Sequence, residues 1–438
     1  MPFGRCWIGR RVLFGFAASL ALGAASVQAT PYLVVDADSD QVLMENEATA
    51  PWYPASLTKL MTVYVALDAV RSGKLTLDTP LIMSARAARM PPSKMGFRPG
   101  TEVTLDNALK MLMVKSPNDV AVMVAEGVSG SIEAFADDMN ADAQRLGLHE
   151  SHFVNPNGLH NPAHVSSARD MATIARALLR EFPDHADLFS IGALQLGRQY
   201  IPNHNGLLGR YPGADGMKTG FTCPAGFNVV ASANHSGRRL IVVVLGAPSA
   251  RTRNQEAADL FDRGFAMGGG NGSLESLPSG SGAPDPHANV CLHRNAAALA
   301  AAAEDDEIQA QAVAGSVGRA GMLPTPLAAL FAPVVAHTEL TNERIRFDPV
   351  PVYIGPAPGW KGPALGARPT TTETAAAAGA KTVSADNSSA AATTPEGDAS
   401  APVQTSRRFK HKPARHYAAH KPIKSATEKP EKKDVSTN

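Results

Sequence analysis

One Ser-x-x-Lys string combines the side chains that nucleophilic catalysis requires. Ser56 and Lys59 stand at the start of a helical pattern that runs from about Leu57 to Ser72. Because three residues make nearly one helical turn, the two side chains face the same side. A helix N-terminus also presents free N–H groups and a positive dipole end, which stabilise an attacking oxygen and a developing oxyanion. The string therefore predicts a serine nucleophile whose proton passes to the neighbouring lysine.

A second string, Ser116-Pro117-Asn118, follows about sixty residues later. Ser-x-Asn recurs at Ser232 and Ser436, so this copy is informative only through its position between two apolar helical patterns. Its proline disfavours simple continuation of the preceding helix. A polar loop between apolar helices can aim a hydroxyl and an amide into a cleft, and we expect Ser116 and Asn118 to do so.

A third string, Lys-Thr-Gly-Phe-Thr at residues 218–222, immediately precedes a β-branched run that begins at Gly226. An edge strand that contains glycine lets a substrate backbone approach closely. Lysine and threonine offer donors to a carboxylate or an oxyanion. The string predicts a strand edge that binds substrate.

Taken in this order, the three strings match the signature of penicillin-binding proteins and class A β-lactamases. The chain resembles the serine-type D-alanyl-D-alanine carboxypeptidases, the low-molecular-mass penicillin-binding proteins, over about residues 30–267. Further strings that carry the resemblance are Tyr53–Ala55, Phe153–Leu159, Ser166–Met171, Asn203–Leu208 and Gly213–Lys218.

The resemblance implies a set of catalytic roles. Ser56 would form an acyl-enzyme with the penultimate D-Ala of a peptidoglycan stem peptide and release the terminal D-Ala. Lys59 would be its general base, and Ser116 would relay a proton to the leaving amine. Water would then hydrolyse the acyl-enzyme, and β-lactams would acylate the same serine as covalent inhibitors.

The resemblance also implies how the substrate is held. An amide side chain holds the substrate amide, a lysine and a threonine bind the terminal carboxylate, and two backbone N–H groups form the oxyanion hole. In that order, these are Asn118, Lys218 with Thr219, and the N–H groups of Ser56 and Phe221. Gly220, which lies between Thr219 and Phe221, is assigned to substrate binding with them. The family's arginine after the last strand, which assists carboxylate binding, corresponds to Arg253, with Arg251 as the near alternative. No metal or other cofactor is implied.

Other activities stay open at this point. A DD-endopeptidase that cleaves peptidoglycan cross-links would use the same residues. A class A β-lactamase activates its deacylating water with a glutamate, and the local candidates Glu150 and Glu181 lie outside any matching string. Two pairs of histidines, His149 with His152 and His160 with His164, raise the alternative of a metal peptidase. It is disfavoured because no His-Glu-x-x-His is present, and the former pair has the wrong spacing for that motif. A non-catalytic wall-binding protein is the remaining class, and acylation by labelled penicillin would exclude it.

The elements that must position these residues form one mixed domain. Alternating runs at Tyr32–Asp36 and Gln41–Met44 predict a hairpin, and Gly226–Ser232 with Arg239–Leu245 predicts another. Helical patterns occupy about residues 57–72, 105–113, 119–128, 132–146, 170–179 and 253–265. We predict an α/β fold of the DD-peptidase and β-lactamase type, in which the N- and C-terminal segments form an antiparallel sheet and a helical cluster lies between them.

Composition divides the 438 residues into unequal parts. Residues 1–29 have a positive start, an apolar run and a small-residue site, which predicts a signal peptide and export to the periplasm or cell envelope. The catalytic domain is expected at 30–267. A Gly/Ser/Pro linker at 268–286, a poorly defined segment at 287–365 and a disordered, basic tail at 366–438 are expected to follow it.

The charge balance excludes a globally basic nucleic-acid binder, because 41 Lys and Arg face 40 Asp and Glu. Ten basic residues against two glutamates at 407–433 predict a solvated tail or one in weak contact with the wall or a membrane surface. This tail has no apolar helical face, so a membrane-anchoring helix is not expected. Removal of the signal peptide leaves Cys223 and Cys291, whose pairing the sequence does not decide.

Overall fold

A five-stranded antiparallel sheet joins the two ends of the folded region. The computed structural model describes residues 30–284, 289–291, 338–340 and 345–367. Its strands are β1 (Tyr32–Asp36), β2 (Val42–Asn46), β3 (Pro80–Ile82), β4 (Glu102–Thr104), β5 (Ala193–Leu196), β6 (Gln199–Pro202), β7 (Ala214–Thr222), β8 (Gly226–His235), β9 (Arg238–Ala247) and β10 (Val350–Val352). The main sheet has the order β2-β1-β9-β8-β7, so both predicted hairpins and the predicted sheet of N- and C-terminal segments are confirmed.

The predicted helices form within a few residues of their expected bounds. They are α1 (Thr58–Arg71), α2 (Ala85–Ala88), α3 (Leu105–Val114), α4 (Asn118–Ser129), α5 (Ile132–Arg145), α6 (Ala168–Glu181) and α7 (Ala250–Ala266), of which the short α2 was not predicted. Ser167 caps α6, because its Oγ accepts a hydrogen bond from the Asp170 N–H at 3.1 Å. The helical cluster between the two parts of the sheet is thus confirmed.

Both faces of the main sheet are buried. Along β9, Ile241 and Val243 pack with the helices of the cluster, while Val242 and Val244 pack with α7 on the opposite face. This alternation follows from the two-residue period of a strand. Covering both faces explains why β9 is a continuous apolar run rather than an alternating one. The sheet and its two helical layers together hold α1 and β7 in fixed positions.

Two small sheets flank the cluster. β3 pairs with β4, and a three-stranded sheet has the order β10-β5-β6. Chain turns of 3₁₀ type occupy Ala55–Leu57, Pro183–Phe189 and Leu274–Ser276. The Arg344–Ile354 region, where the sequence favours a small β element, contains β10, which pairs with β5 in parallel.

Residues 268–284, expected to be a linker, lie against the domain. Leu274 is buried, the Val42 N–H donates to the Gly272 carbonyl at 3.2 Å, and the Gly280 N–H donates to Glu150 at 3.0 Å. The boundaries of the proposed domains stay predictions. The predicted signal peptide and most of the predicted C-terminal tail lie outside the described residues.

Cys223 and Cys291 form a disulfide, which settles the pairing that the sequence left undecided. The bridge spans 68 residues and is joined by a hydrogen bond from the Val290 N–H to the Cys223 carbonyl at 3.1 Å. Residues 289–291 are therefore held beside the turn that follows β7. In the described part of the chain, no helix has both the length and the apolar character needed to cross a bilayer.

Candidate active site

Ser56 lies in the 3₁₀ turn that leads into α1, and the segment before it is bonded to β8. The Asn228 side chain donates from Nδ2 to the carbonyls of Tyr53 at 2.9 Å and Pro54 at 3.2 Å. The Trp52 indole N–H donates to the Ala225 carbonyl at 2.9 Å. These bonds fix the backbone that carries Ser56, whose side chain is half-buried at the end of the helix.

Lys59 is fully buried and bonded to the serine. Its Nζ donates to Ser56 Oγ at 2.9 Å, to Asn118 Oδ1 at 2.9 Å and to the Asn157 carbonyl at 2.8 Å. Burial lowers the pKa of Lys59 well below its usual value, and the charge of Lys218 lowers it further, against a smaller opposite effect of Asp119. A lysine in this state gives up its proton easily and can then accept one from the serine hydroxyl.

Ser116 and Asn118 lie in the turn between α3 and α4. Ser116 adopts a left-handed backbone conformation, with φ of 59°, which is costly for a residue other than glycine. Its Oγ is buried and has no hydrogen-bond partner within the described part of the chain. Asn118 starts α4 and donates from Nδ2 to the carbonyls of Pro91 and Pro92, each at 3.1 Å. The structure thus brings the first two strings together and leaves one hydroxyl ready for a further partner.

The Lys-Thr-Gly string lies on β7, the edge strand of the main sheet, as expected. A Cβ atom at Gly220 would lie 2.9 Å from the Ser56 nitrogen, so only glycine permits this approach. The approach brings the backbone that leads to Phe221 next to the Ser56 N–H, as an oxyanion hole would require. Lys218 is buried, and its Nζ donates to the Thr219 carbonyl at 2.8 Å.

Arg253 is buried in the first turns of α7. Its Nε and Nη2 donate to Asn254 Oδ1 at 3.1 and 2.9 Å. Arg251, the near alternative, is exposed on the same helix. Burial of a guanidinium distinguishes Arg253 from its neighbour, and its role toward a substrate carboxylate stays a prediction.

The sequence did not assign several groups that hold Lys59 in place. The loop before α6 supplies the Asn157 carbonyl, and its His164 bonds to α1. His164 Nδ1 accepts from the Val154 N–H at 3.1 Å, so its Nε2–H donates to Thr58 Oγ1 at 2.8 Å. Burial lowers the pKa of His164 to about 3, which keeps the ring neutral. Asn157 belongs to a string quoted for the family resemblance. The sequence marks His164 only through its spacing from His160, and no sequence signal distinguishes Asn228.

The glutamates considered for a β-lactamase activity form ion pairs outside the candidate site. Glu150 is buried in an ion pair with Arg169. Glu181 pairs with Arg71 at 2.8 Å and accepts a bond from the Tyr64 hydroxyl. The described residues contain no group of three or more His, Cys, Asp or Glu side chains that could hold a metal ion.

A cavity of about 700 Å³ lies on another part of the surface. One face of α6 and the turn after α5 form much of its lining, and none of the predicted site residues takes part. Of its arginines, Arg145 pairs with Asp142 and Arg169 with Glu150 and Asp170. The groups that could do acyl-transfer chemistry lie elsewhere, where α1, the α3–α4 turn and β7 meet.

Comparison with known proteins agrees with this geometry. The family Peptidase_S11, described as D-alanyl-D-alanine carboxypeptidase, matches residues 18–249. The chain is 37% identical over 257 residues to the D-alanyl-D-alanine carboxypeptidase DacC of Escherichia coli, an alignment that covers 57% of this chain and 64% of the relative. It is 34% identical to DacB2 of Mycobacterium tuberculosis, covering 55% of this chain and 83% of that one.

Solved structures show the same fold. Penicillin-binding protein 5 of Haemophilus influenzae matches with a TM-score of 0.52 and 37% identity, over 54% of this chain and 71% of the other. Penicillin-binding protein D2 of Listeria monocytogenes in its ampicillin-bound form matches with a TM-score of 0.50 and 27% identity, over 54% and 97% of the two chains. The chain spans less than two thirds of the length of several curated relatives, 64% of E. coli DacC and 62% of H. influenzae DacA.

Proposed function

The chain belongs to the D-alanyl-D-alanine carboxypeptidase family of serine peptidases, and on that premise we propose that it removes the terminal D-Ala from peptidoglycan stem peptides through an acyl-enzyme on Ser56. The observation that carries the proposal is the buried amine of Lys59, 2.9 Å from the Ser56 hydroxyl. The hydroxyl is a weak nucleophile until a neighbouring base takes its proton. A desolvated lysine with a lowered pKa is such a base.

Acylation follows from these positions. Ser56 Oγ attacks the carbonyl carbon of the penultimate D-Ala while its proton moves to Lys59 Nζ. The carbonyl oxygen becomes an oxyanion that accepts hydrogen bonds from the N–H groups of Ser56 and Phe221. When the tetrahedral intermediate collapses, the peptide C–N bond breaks, and the proton on Lys59 passes through the Ser116 hydroxyl to the leaving nitrogen, which returns Lys59 to its neutral form. Free D-Ala leaves, and the peptide remains as an ester of Ser56.

Deacylation uses the same groups with water as the nucleophile. A water molecule gives a proton to the neutral Lys59 amine and attacks the ester carbonyl. The C–O bond to Ser56 breaks, and Ser56 Oγ recovers its proton from Lys59. The products are the shortened peptide acid and the free enzyme, so the cycle balances.

Substrate binding is assigned to the two sides of the cleft. Asn118 holds the substrate amide on the α4 side. Lys218 and Thr219 hold the terminal carboxylate on the β7 side, where Gly220 admits the substrate backbone and Arg253 adds positive charge. Lys218 must keep its proton for this task, whereas Lys59 must lose its own. The two lysines are suited to this division because charge on one disfavours charge on the other.

β-Lactams acylate the same serine in this proposal. Their amide opens on attack but the leaving nitrogen stays tethered to the acyl group, so a long-lived adduct forms. The ampicillin-bound form of the Listeria neighbour is consistent with this expectation. Labelled penicillin should therefore modify a peptide that contains Ser56, and Ser56→Ala should lose the label and at least ~10⁴-fold of the turnover. An adduct that maps to another residue would disprove the assignment.

Activity on defined muropeptides separates the carboxypeptidase from its nearest rivals. Pentapeptide substrates should release free D-Ala, while cross-linked dimers should be cleaved slowly. Dominant cleavage of dimers would indicate a DD-endopeptidase, and rapid turnover of penicillin would indicate a β-lactamase.

We further propose that the protein acts outside the cytoplasmic membrane, in the periplasm or cell envelope, in cell wall biogenesis and cell shape. Peptidoglycan substrates require this location, and a predicted signal peptide supports it. The basic tail at 407–433 is proposed to contact the anionic wall or membrane surface weakly. Removal of the chain after residue 370 should lower sedimentation with sacculi or anionic vesicles. Added salt should do the same to the full chain, and equal, salt-insensitive sedimentation would argue against this contact.

A further inference from the structure

Residues 345–367 form a segment, here called the strap, that connects the two small sheets. At one end β10 adds a parallel strand to β5. Nearby, the Phe347 ring occupies a socket made by two glycines: a Cβ atom at Gly192 would lie 2.0 Å from the ring, and one at Gly209 would lie 2.9 Å from it. The Tyr200 hydroxyl donates to the Phe347 carbonyl at 3.3 Å. The absence of side chains at these glycines is what admits the ring.

The other end of the strap pairs with β3 and β4. The Gly355 N–H donates to the Glu102 carbonyl on β4 at 2.6 Å. The Leu365 N–H donates to the Pro80 carbonyl, and the Ile82 N–H donates to the Leu365 carbonyl, both at 2.8 Å. The strap therefore extends both small sheets through main-chain hydrogen bonds.

The chain between β3 and β4 supports one side of the Ser116–Asn118 turn. The carbonyls of Pro91 and Pro92 accept from the Asn118 amide, and the Ser93 carbonyl accepts from the Asn118 N–H at 2.7 Å. Anything that displaces β3 and β4 therefore displaces the groups that orient Asn118.

The residues after β6 support the other side of the same turn. The Asn203 side chain donates to the Ile191 carbonyl at 2.7 Å, and its N–H donates to the Gly192 carbonyl at 2.9 Å, beside the Phe347 socket. The next residue, His204, donates its N–H to the Val114 carbonyl at 3.2 Å, at the end of α3. Both supports of the turn thus connect to the strap.

We propose that the strap is a positioning element of the active site, and that Phe347 is the positioning residue that anchors it. This inference rests on the proposed function of Ser116 and Asn118. The left-handed backbone at Ser116 persists only where its surroundings hold it, and the strap ties those surroundings together. Ser56 is held separately, through β8 and Asn228. Loss of the strap therefore impairs proton transfer to the leaving amine while the nucleophile stays in place.

Strap residues lie beyond the residues 18–249 that match the family. The positioning role is therefore a property of this chain's own C-terminal segment rather than of the matched region. It also gives part of the poorly defined segment at 287–365 a place in the catalytic domain.

The test compares the full-length chain with two socket variants: Phe347→Ala empties the socket, and Gly192→Ala fills it. Tyr353→Ala is the control, because Tyr353 lies on the same segment and its side chain is 44% exposed. Labelled penicillin counts the active sites in each preparation. The kcat for D-Ala release is then given per labelled active site, and KM is measured in the same assay. We expect kcat to fall about tenfold or more in both socket variants as Ser116 is displaced, because a shift of ~1 Å in a catalytic group can cost 10²-fold. KM should rise as well, since Asn118 is proposed to hold the substrate amide. Phe347→Leu should recover part of the rate, and Tyr353→Ala should equal the wild type.

Hydrogen exchange provides a readout that does not depend on activity. The Asn118 amide, bonded to the Ser93 carbonyl, should exchange faster in Phe347→Ala than in the wild type. Unchanged exchange at Asn118, or an unchanged kcat per labelled site, would overturn the role of the strap. A wild-type chain that neither labels at Ser56 nor releases D-Ala would instead disprove the proposed function, and the exchange result would still decide whether the strap positions the turn.

Discussion

The amine of Lys59 lies 2.9 Å from the Ser56 hydroxyl and is enclosed on its other sides by Asn118 and Asn157. This enclosure removes water from the amine and makes its neutral form accessible, which is the form that takes a proton. A surface lysine at the same distance would stay charged and could only donate. Burial is thus the feature that would let this Ser-x-x-Lys pair act as the proposed nucleophile and base.

Exchange of each cleft lysine for arginine should have unequal effects. Lys59→Arg should be nearly inert in acylation by penicillin, because guanidinium stays protonated at any working pH. Lys218→Arg keeps a cation for the carboxylate and should retain measurable turnover, with part of the loss appearing as a higher KM. Substantial acylation by Lys59→Arg together with a dead Lys218→Arg would reverse the two roles.

The pH dependence of acylation should report the pKa of Lys59. Below that pKa the amine is protonated and cannot accept the serine proton, so the acylation rate should fall as the pH is lowered through it. Because the charge of Lys218 lowers the pKa of Lys59, Lys218→Gln should move this acid limb to higher pH. Acylation rates measured across the pH range check the prediction, and a limb that stays in place would contradict the coupling.

Gly220→Ala should impair acylation far more than folding. The new Cβ would lie 2.9 Å from the Ser56 nitrogen and 3.1 Å from that of Leu57, so β7 must move away from Ser56. We expect a loss of about tenfold or more in the acylation rate, since reacting groups tolerate little misplacement. Gly268→Ala is the matched control because its Cβ would meet no atom within 4 Å. Equal rates for the two variants would remove the steric argument.

Arg169→Met should destabilise the protein in a pH-dependent way. Arg169 is buried between Glu150 and Asp170, and the pKa of Asp170 is raised to about 6 by burial and by the charge of Glu150. Without the arginine, two buried carboxylates lose their cation, which typically costs about 3–5 kcal/mol.

The sign of the pH effect follows from linkage. A carboxyl group whose pKa is higher in the folded state binds more protons there, so stability falls as the pH rises from the unfolded value of about 4 through the folded one. Removal of Arg169 raises the pKa of Asp170 further, so the loss should be larger at pH 8 than at pH 5. Urea denaturation at pH 5 and at pH 8 measures the loss of unfolding free energy. Arg180→Met is the control, because Arg180 is exposed on the same helix. A loss that is equal at both pH values would contradict the carboxylate argument.

Replacement of Cys223 and Cys291 by serine should lower the free energy of unfolding by about 2–4 kcal/mol. The bridge closes a separation of 68 residues, and such a link stabilises mainly by restricting the unfolded chain. Urea denaturation of oxidised wild type and the double variant measures the difference. A reductant should destabilise the wild type to the level of the variant and leave the variant itself unchanged.

The sequence by itself determined the Ser56–Lys59 pair, the order of the three strings and most of the element boundaries. Ser56 and Lys59 are one helical turn apart, so their proximity follows from local geometry alone. The alternating and β-branched runs of β1, β8 and β9 likewise predict strands from local sequence alone. The family resemblance then connected strings that are far apart along the chain.

Only the tertiary structure decided which distant groups surround those strings. Asn157 binds Lys59 through its backbone carbonyl, so the identity of its side chain does not predict that hydrogen bond. Asn228 and His164 are ordinary polar residues until folding places them beside Tyr53 and Thr58. The pairing of Cys223 with Cys291 depends in the same way on distances between segments.

The strap shows the same limit most clearly. Phe347 fits only because two glycines, Gly192 and Gly209, meet around its ring, and neither glycine is near it in the sequence. Local sequence patterns reflect the hydrophobic period and the turn residues of a single segment, so they predict the secondary structure of that segment. Sockets, buried ion pairs and disulfides depend on complementary surfaces from separate segments, so they are fixed only when the chain packs into one core.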